Sequence, residues 1–154
     1  MQYWLIKSEP SEFSIDDLFA QNRQKSCWDG VRNYQARNML RDEMKKGDKA
    51  FFYHSNCPEP GIAGIVRIVK GGYPDHTAFD PEHPHFDPKS EPENPRWYMV
   101  DVCFERKLER VISLKELRNY ADSSLSDMLL LRTGNRLSVM PVIEENWNFI
   151  LGLE

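Results

Sequence analysis

The chain has 154 residues, 40% of them apolar and 29% charged, and a formal net charge of −4. That length suits one domain able to bury a core without staples, and Cys27, Cys57 and Cys103, with no C-x-x-C pair, give neither a disulfide framework nor a cysteine zinc site. No apolar run reaches the roughly 18 residues of a membrane span, and the acidic balance argues against tight, non-specific binding to long duplex.

Residues 2–7 read as a first strand, stopped by Lys7-Ser8-Glu9-Pro10. They lack the basic, apolar and small-residue order of a secretory leader, so a cytoplasmic protein with no membrane passage is expected. Ser14-Ile15-Asp16-Asp17 forms a capping box that opens a short helix to about Ala20. Trp28-Asp29-Gly30-Val31-Arg32-Asn33-Tyr34-Gln35-Ala36-Arg37-Asn38 follows and carries the most chemistry. Gly30 allows a tight turn or a close ligand approach, and Asn33 suits the N-cap of a helix from Tyr34 towards Glu43. An indole face for stacking, amides for a base edge and arginine forks for phosphate, set side by side, suggest a nucleobase site. Core packing for Trp28, capping alone for Asn33 and a solvated cationic face for Arg32, Arg37 and Arg41 are the bland counterparts.

Lys49 to His54 reads as an aromatic-rich second strand and Ile62 to Val69 as a third, antiparallel to it, with Gly64 marking a bulge or a close approach. Residues 71–96 hold most of the prolines and form a long irregular surface loop. Arg96 to Glu105 alternates cleanly and is expected near the centre of the sheet. Ser113-Leu114-Lys115-Glu116 and Ser124-Leu125-Ser126-Asp127 open two more helices, the second ended at Gly134. Arg136 to Val142 is a short edge strand because of Pro141, and Ile143 to Leu153 is a closing helix with Trp147, Ile150 and Leu151 inward. Five strands mixed with short helices, without βαβ alternation, indicate an α+β fold with a mostly antiparallel, curled sheet closing as a small open β-barrel.

Tyr3-Trp4-Leu5-Ile6-Lys7-Ser8-Glu9-Pro10, Trp28 to Asn33, Phe52-Tyr53-His54-Ser55-Asn56, Pro95-Arg96-Trp97 and Arg136-Leu137-Ser138-Val139-Met140-Pro141-Val142, in that order, resemble an EVE domain over essentially the whole chain. The resemblance implies one PUA-like domain over 1–154, akin to YTH and ASCH domains and flanked by short helices. It implies a cleft for a modified nucleobase, methylated or hydroxymethylated cytosine or methylated adenine, in DNA or RNA. Carried onto this chain, the cleft is bordered by Lys7, Ser8 and Glu9, by Trp28, Val31, Arg32, Asn33 and Asn38, by Tyr53, His54 and Ser55, by Trp97, and by Arg136, Leu137, Ser138 and Val139. Trp28 and Trp97 are then two walls of an aromatic slot, while Trp4 and Trp147 belong to the core.

No catalytic residue, cofactor or metal is expected, and the chain is read as a monomeric binding domain. The alternative is a hydrolase or transferase acting on a nucleotide through His54, Glu9 and a nearby hydroxyl; a protein adaptor using the acidic loop is weaker. No nucleophile elbow, deaminase signature, P-loop or dinucleotide fingerprint occurs. His76, His83 and His85 with Asp75, Asp80 and Asp87 invite a metal, but they lie in a proline-rich loop with no second spaced pair.

Overall fold

Trp4-Leu5-Ile6 and Ala50-Phe51-Phe52-Tyr53 are continuous apolar runs, the pattern of strands covered on both faces. The computed structural model describes residues 1–154 and builds one six-stranded sheet. Its strands are β1 (Tyr3–Ser8), β2 (Lys25–Cys27), β3 (Lys49–His54), β4 (Gly61–Pro74), β5 (Tyr98–Ser113) and β6 (Val139–Val142), in the order β2-β5-β4-β3-β1-β6. β1 and β3 pair in parallel, from Tyr3 opposite Lys49 to Ser8 opposite His54, and every other pairing is antiparallel. A parallel pair needs a long crossover. Here it contains α1 (Ile15–Phe19), β2 and α2 (Tyr34–Asn38), and α2 runs on into a π turn over Met39–Glu43.

Alternation along the strands divides the core in two. Trp4, Ile6, Ala50, Phe52, Val66 and Val102 face one side, where Leu18 of α1, Ala36 of α2, Leu40, Met44 and Trp28 cover them. Leu5, Phe51, Tyr53, Ile62 and Met140 face the other, covered by Leu117 of α3 (Leu114–Arg118) and by Trp147 and Ile150 of α4 (Glu144–Leu151). Trp147 stacks on Phe51 at 3.9 Å and on Tyr3 at 4.5 Å between ring centres. Trp4 is buried as expected, and its indole N–H donates to Asp48 at 3.0 Å.

Several sequence expectations change. β2 is a sixth strand that Lys25-Ser26-Cys27 does not announce, since it forms by pairing with β5 rather than by its own pattern. β4 and β5 are longer than their apolar cores, and β5 lies between β4 and the edge strand β2 rather than at the centre. Ser124 to Leu131 gives turns and a single 3₁₀ turn, Leu129–Leu131, in place of a helix. The sheet does not close: β2 and β6 remain its two edges, while register shifts at Ile62/Gly64, Ile65/Val66, Ile68/Lys70 and Lys70/Tyr73 interrupt the β4–β5 ladder.

Candidate nucleic-acid interface

The ends of β1 and β3 lie side by side, with the Ser55 amide donating to the Ser8 carbonyl at 2.9 Å. Across β1, the Lys7 amide donates to the Ser138 carbonyl, also at 2.9 Å, which brings the approach to β6 alongside. The segment after β2 completes the ring, held by the Trp28 amide donating to Val100 O at 2.7 Å. These pieces surround an open hollow of about 520 Å³ lined by Lys7, Ser8, Glu9, Glu12, Phe13, Ser26, Cys27, Trp28, Asp29, Gly30, Val31, Arg32, Ser55, His85, Arg136 and Ser138. That volume falls in the range of small-ligand sites.

Nine of the sequence-predicted residues meet there: Lys7, Ser8, Glu9, Trp28, Val31, Arg32, Ser55, Arg136 and Ser138. The others lie elsewhere. Asn33 caps α2 by accepting from the Ala36 amide at 2.9 Å, and Asn38 accepts from Arg37 Nε. Tyr53 belongs to the core on the far face of the sheet, as does Val139 to the near one, and Leu137 packs against both. His54 accepts the Ile15 amide on Nε2 at 3.1 Å, and burial pushes its pKa below the usual histidine range. Trp97 does not reach the hollow: it stacks on Tyr34 at 4.8 Å and donates its indole N–H to Asp87 at 2.6 Å. The two-walled aromatic slot is therefore replaced by a single indole. Trp28 is 8% exposed, edge-on to Phe52 at 5.4 Å and to Phe13 at 6.4 Å, yet it borders the hollow.

Glu12, Phe13, Ser26, Cys27 and His85 line the hollow without having been singled out for it. Only tertiary pairing brings them there: Ser26 and Cys27 enter through β2, and His85 through the long loop. Gly30 explains how His85 reaches the site. Its φ is +82°, and a Cβ there would stand 2.4 Å from the His85 ring, so only glycine admits this contact.

The turn is fixed by a buried carboxylate. Asp75 accepts from the Gly30 amide at 2.8 Å, from Arg32 Nη1 at 2.9 Å, and from the amide and hydroxyl of Thr77 at 2.9 and 2.5 Å. Burial alone would raise its pKa, but the donors from Thr77, Gly30 and Arg32 reverse that and hold it below the ordinary value. The rest of the Arg32 guanidinium donates to His85 O, Val31 O and Thr77 Oγ1. Arg32 is thus a clamp between the turn and the loop, not a free phosphate fork.

Other groups stay available. Lys7, Ser55, Ser138 and Arg136 border the hollow and their side chains make no internal hydrogen bond, although the Lys7 ammonium lies 5.9 Å from the Tyr53 ring centre, whereas Ser8 Oγ is already donating to Phe13 O at 2.6 Å. Burial lowers the pKa of Lys7, because partial removal from water disfavours its charged form. Asp29, His83 and His85 come close enough for a metal, with His85 Nδ1 3.3 Å and His83 Nε2 3.9 Å from Asp29 Oδ2. However, His83 Nδ1 accepts the His85 amide at 3.0 Å, which leaves the neutral ring's proton on Nε2 and makes that nitrogen a donor rather than a ligand.

The EVE domain family profile matches residues 2–153. The chain belongs to the EVE domain family. As an EVE domain it is 52% identical to thymocyte nuclear protein 1 of Homo sapiens over 99% of its own length and 73% of that protein's. Its structure matches that of human THYN1 protein in complex with 5-methylcytosine-containing DNA with a TM-score of 0.95, at 51% identity, covering 99% of this chain and 97% of the other. A Pseudomonas syringae crystal structure matches with a TM-score of 0.92 at 52% identity, covering 98% of each chain. The expected cytoplasmic location is overturned by the human and mouse relatives, both named thymocyte nuclear protein 1. Lack of a secretory pattern, on which that expectation rested, is equally compatible with a nucleus.

Proposed function

We propose that this EVE domain, one PUA-like unit over residues 1–154, binds nucleic acid by taking a modified nucleobase into the hollow beside Trp28, with methylated cytosine in DNA as the favoured ligand. The observation that carries this reading is the chain-long likeness to the human protein crystallised with 5-methylcytosine-containing DNA. The geometry supports it independently. An indole edge and Phe13 supply apolar surface, Ser55 and Ser138 supply hydroxyls, and Lys7 and Arg136 supply cations for the nucleotide's phosphates. The same reading treats the interrupted six-stranded sheet as the open barrel of PUA-like domains and the protein as a monomeric, non-catalytic domain without a cofactor. Against the hydrolase or transferase alternative, His54 stands outside the hollow with Nε2 already accepting, and Glu9 Oε1 accepts from Asn56 at 3.1 Å.

Titration of fluorescent oligonucleotides that differ only in one 5-methylcytosine tests the proposal. The modified strand binds more tightly to the wild type, and Lys7→Gln and Trp28→Phe both weaken it, the second by about 1 kcal/mol through the smaller apolar surface it offers the base. Trp28→Phe preserves an aromatic core residue, so a thermal melt separates a binding loss from a folding loss. Equal affinity for modified and unmodified strands would overturn the reading.

A further inference from the structure

Beside the hollow, four side chains form one column: Arg32, which also lines the hollow, Trp97, Tyr34 and Arg37. The Arg32 guanidinium lies 5.4 Å from the Trp97 ring centre, Trp97 and Tyr34 stack at 4.8 Å with 22° between planes, and Arg37 lies 4.9 Å from the Tyr34 ring centre. The inner end is fixed. Trp97 is 6% exposed and tied to Asp87, and Arg32 is clamped by Asp75 and His85 O. The outer end is open, with Tyr34 51% exposed on the first turn of α2. Arg37 is braced there by donating to Arg96 O at 2.6 Å and to Asn38 Oδ1 at 2.9 Å, and both partners are neutral, so it makes no direct ion pair. Arg41 offers the contrast: it too approaches a tyrosine, Tyr98, but Asp42 neutralises it through two 2.8 Å contacts.

A pre-ordered, exposed tyrosine with a guanidinium that has no ion-pair partner laid over its ring suits a nucleotide, because an arginine plane backed by an aromatic ring accepts a base by stacking while the cation attracts phosphate. The column is also continuous with the hollow. Arg32 belongs to both, and Tyr34 is only two residues further on, at most about 7 Å along the chain. We infer that the exposed end of this column, Tyr34 and Arg37, holds the nucleotide next to the one whose base enters the hollow. This rests on the reading above and assigns the flanking contact to side chains that do not line the hollow.

The test compares two probes, 5-methyl-deoxycytidine monophosphate and a single-stranded oligonucleotide carrying one 5-methylcytosine. Wild type, Tyr34→Phe, Tyr34→Leu and Arg37→Gln are each titrated, the mononucleotide by chemical-shift changes and the oligonucleotide by fluorescence anisotropy. Tyr34→Leu is expected to weaken the oligonucleotide about 10-fold while leaving the mononucleotide unchanged, and Tyr34→Phe is expected to restore binding. Arg37→Gln lowers oligonucleotide affinity and makes its salt dependence shallower by about 0.7 in the logarithmic slope. Oligonucleotide affinity unchanged by Tyr34→Leu, or a loss shared equally by both probes, overturns the inference while leaving the base site standing. Loss of discrimination between methylated and unmethylated strands in the wild type instead removes the base site itself.

Discussion

His54 Nε2 accepts the Ile15 amide at 3.1 Å, so the fold uses the neutral ring, and burial holds its pKa below the ordinary histidine value of 6.5. The sign follows from proton linkage. Between the lowered folded value and 6.5 the unfolded chain binds more protons, so this contribution to stability is complete above that interval and declines as pH falls through it. Urea unfolding at about pH 7.5 and pH 5, on wild type and His54→Gln, isolates the effect, because the glutamine carbonyl accepts the same amide without titrating. The variant should lose less stability on acidification; identical pH dependences would mean that His54 is not the titrating group. His54→Ala leaves the amide unpaired and should cost about 1–2 kcal/mol at neutral pH. Neither role could be seen in Tyr53-His54-Ser55 alone, because the partner lies 39 positions away. Asn33 was legible as a cap because its partner, Ala36, is three residues on.

Two irregular elements, the turn of residues 28–33 and the loop of residues 75–87, become one unit through Asp75 and Arg32. The Asp75 side chain is fully buried and that of Arg32 is 24% exposed, so breaking the pair strands a charge in a dry site. Asp75→Ala should cost about 3 kcal/mol of stability and weaken ligand binding by loosening the Gly30 turn. Arg32→Met should also destabilise, and the double variant should cost at least about 1 kcal/mol less than the sum of the two. Strict additivity in denaturant melts would show that the two side chains do not act together. The sequence announced the turn, and the loop of residues 71–96 in part, since residues 71–74 extend β4 and His76–Phe79 form a 3₁₀ turn. It could not announce their union, since nothing in the local pattern around Asp75-His76-Thr77 points to Gly30. β2 was missed for a related reason: Lys25-Ser26-Cys27 has no alternation of its own, and its strand character comes from the Lys25–Cys103 and Cys27–Asp101 register with β5. Strands buried on both faces, β1 and β3, were plain because their whole apolar content is local.

Over the whole molecule, charge and site separate in a way that bears on how nucleic acid is held. Residues 71–105 carry −6, residues 1–70 carry +2 and the remainder is neutral. The separated motifs of the sequence identified the family because they reach both ends of the chain, and nine of the residues carried over from them do converge on one hollow. Their cationic weight was overestimated, since sequence counts arginines without their partners. Arg32 is held by Asp75 and Arg41 by Asp42, which leaves Lys7 and Arg136 at the hollow and Arg37 beside it as cations without an ion-pair partner, the three that the proposed binding mode offers to phosphate. Three phosphate contacts on a single strand release few counterions, giving a logarithmic salt slope of about −2, and nearer −3 on duplex. Affinity for a methylated oligonucleotide measured from about 50 to 200 mM salt should therefore fall only about 20- to 40-fold. A slope as steep as about −6 would require a broad basic face and would move the main binding energy away from the Trp28 hollow. The shallow slope predicts in turn that unmodified duplex competes weakly, because little sequence-independent attraction is left to hold it.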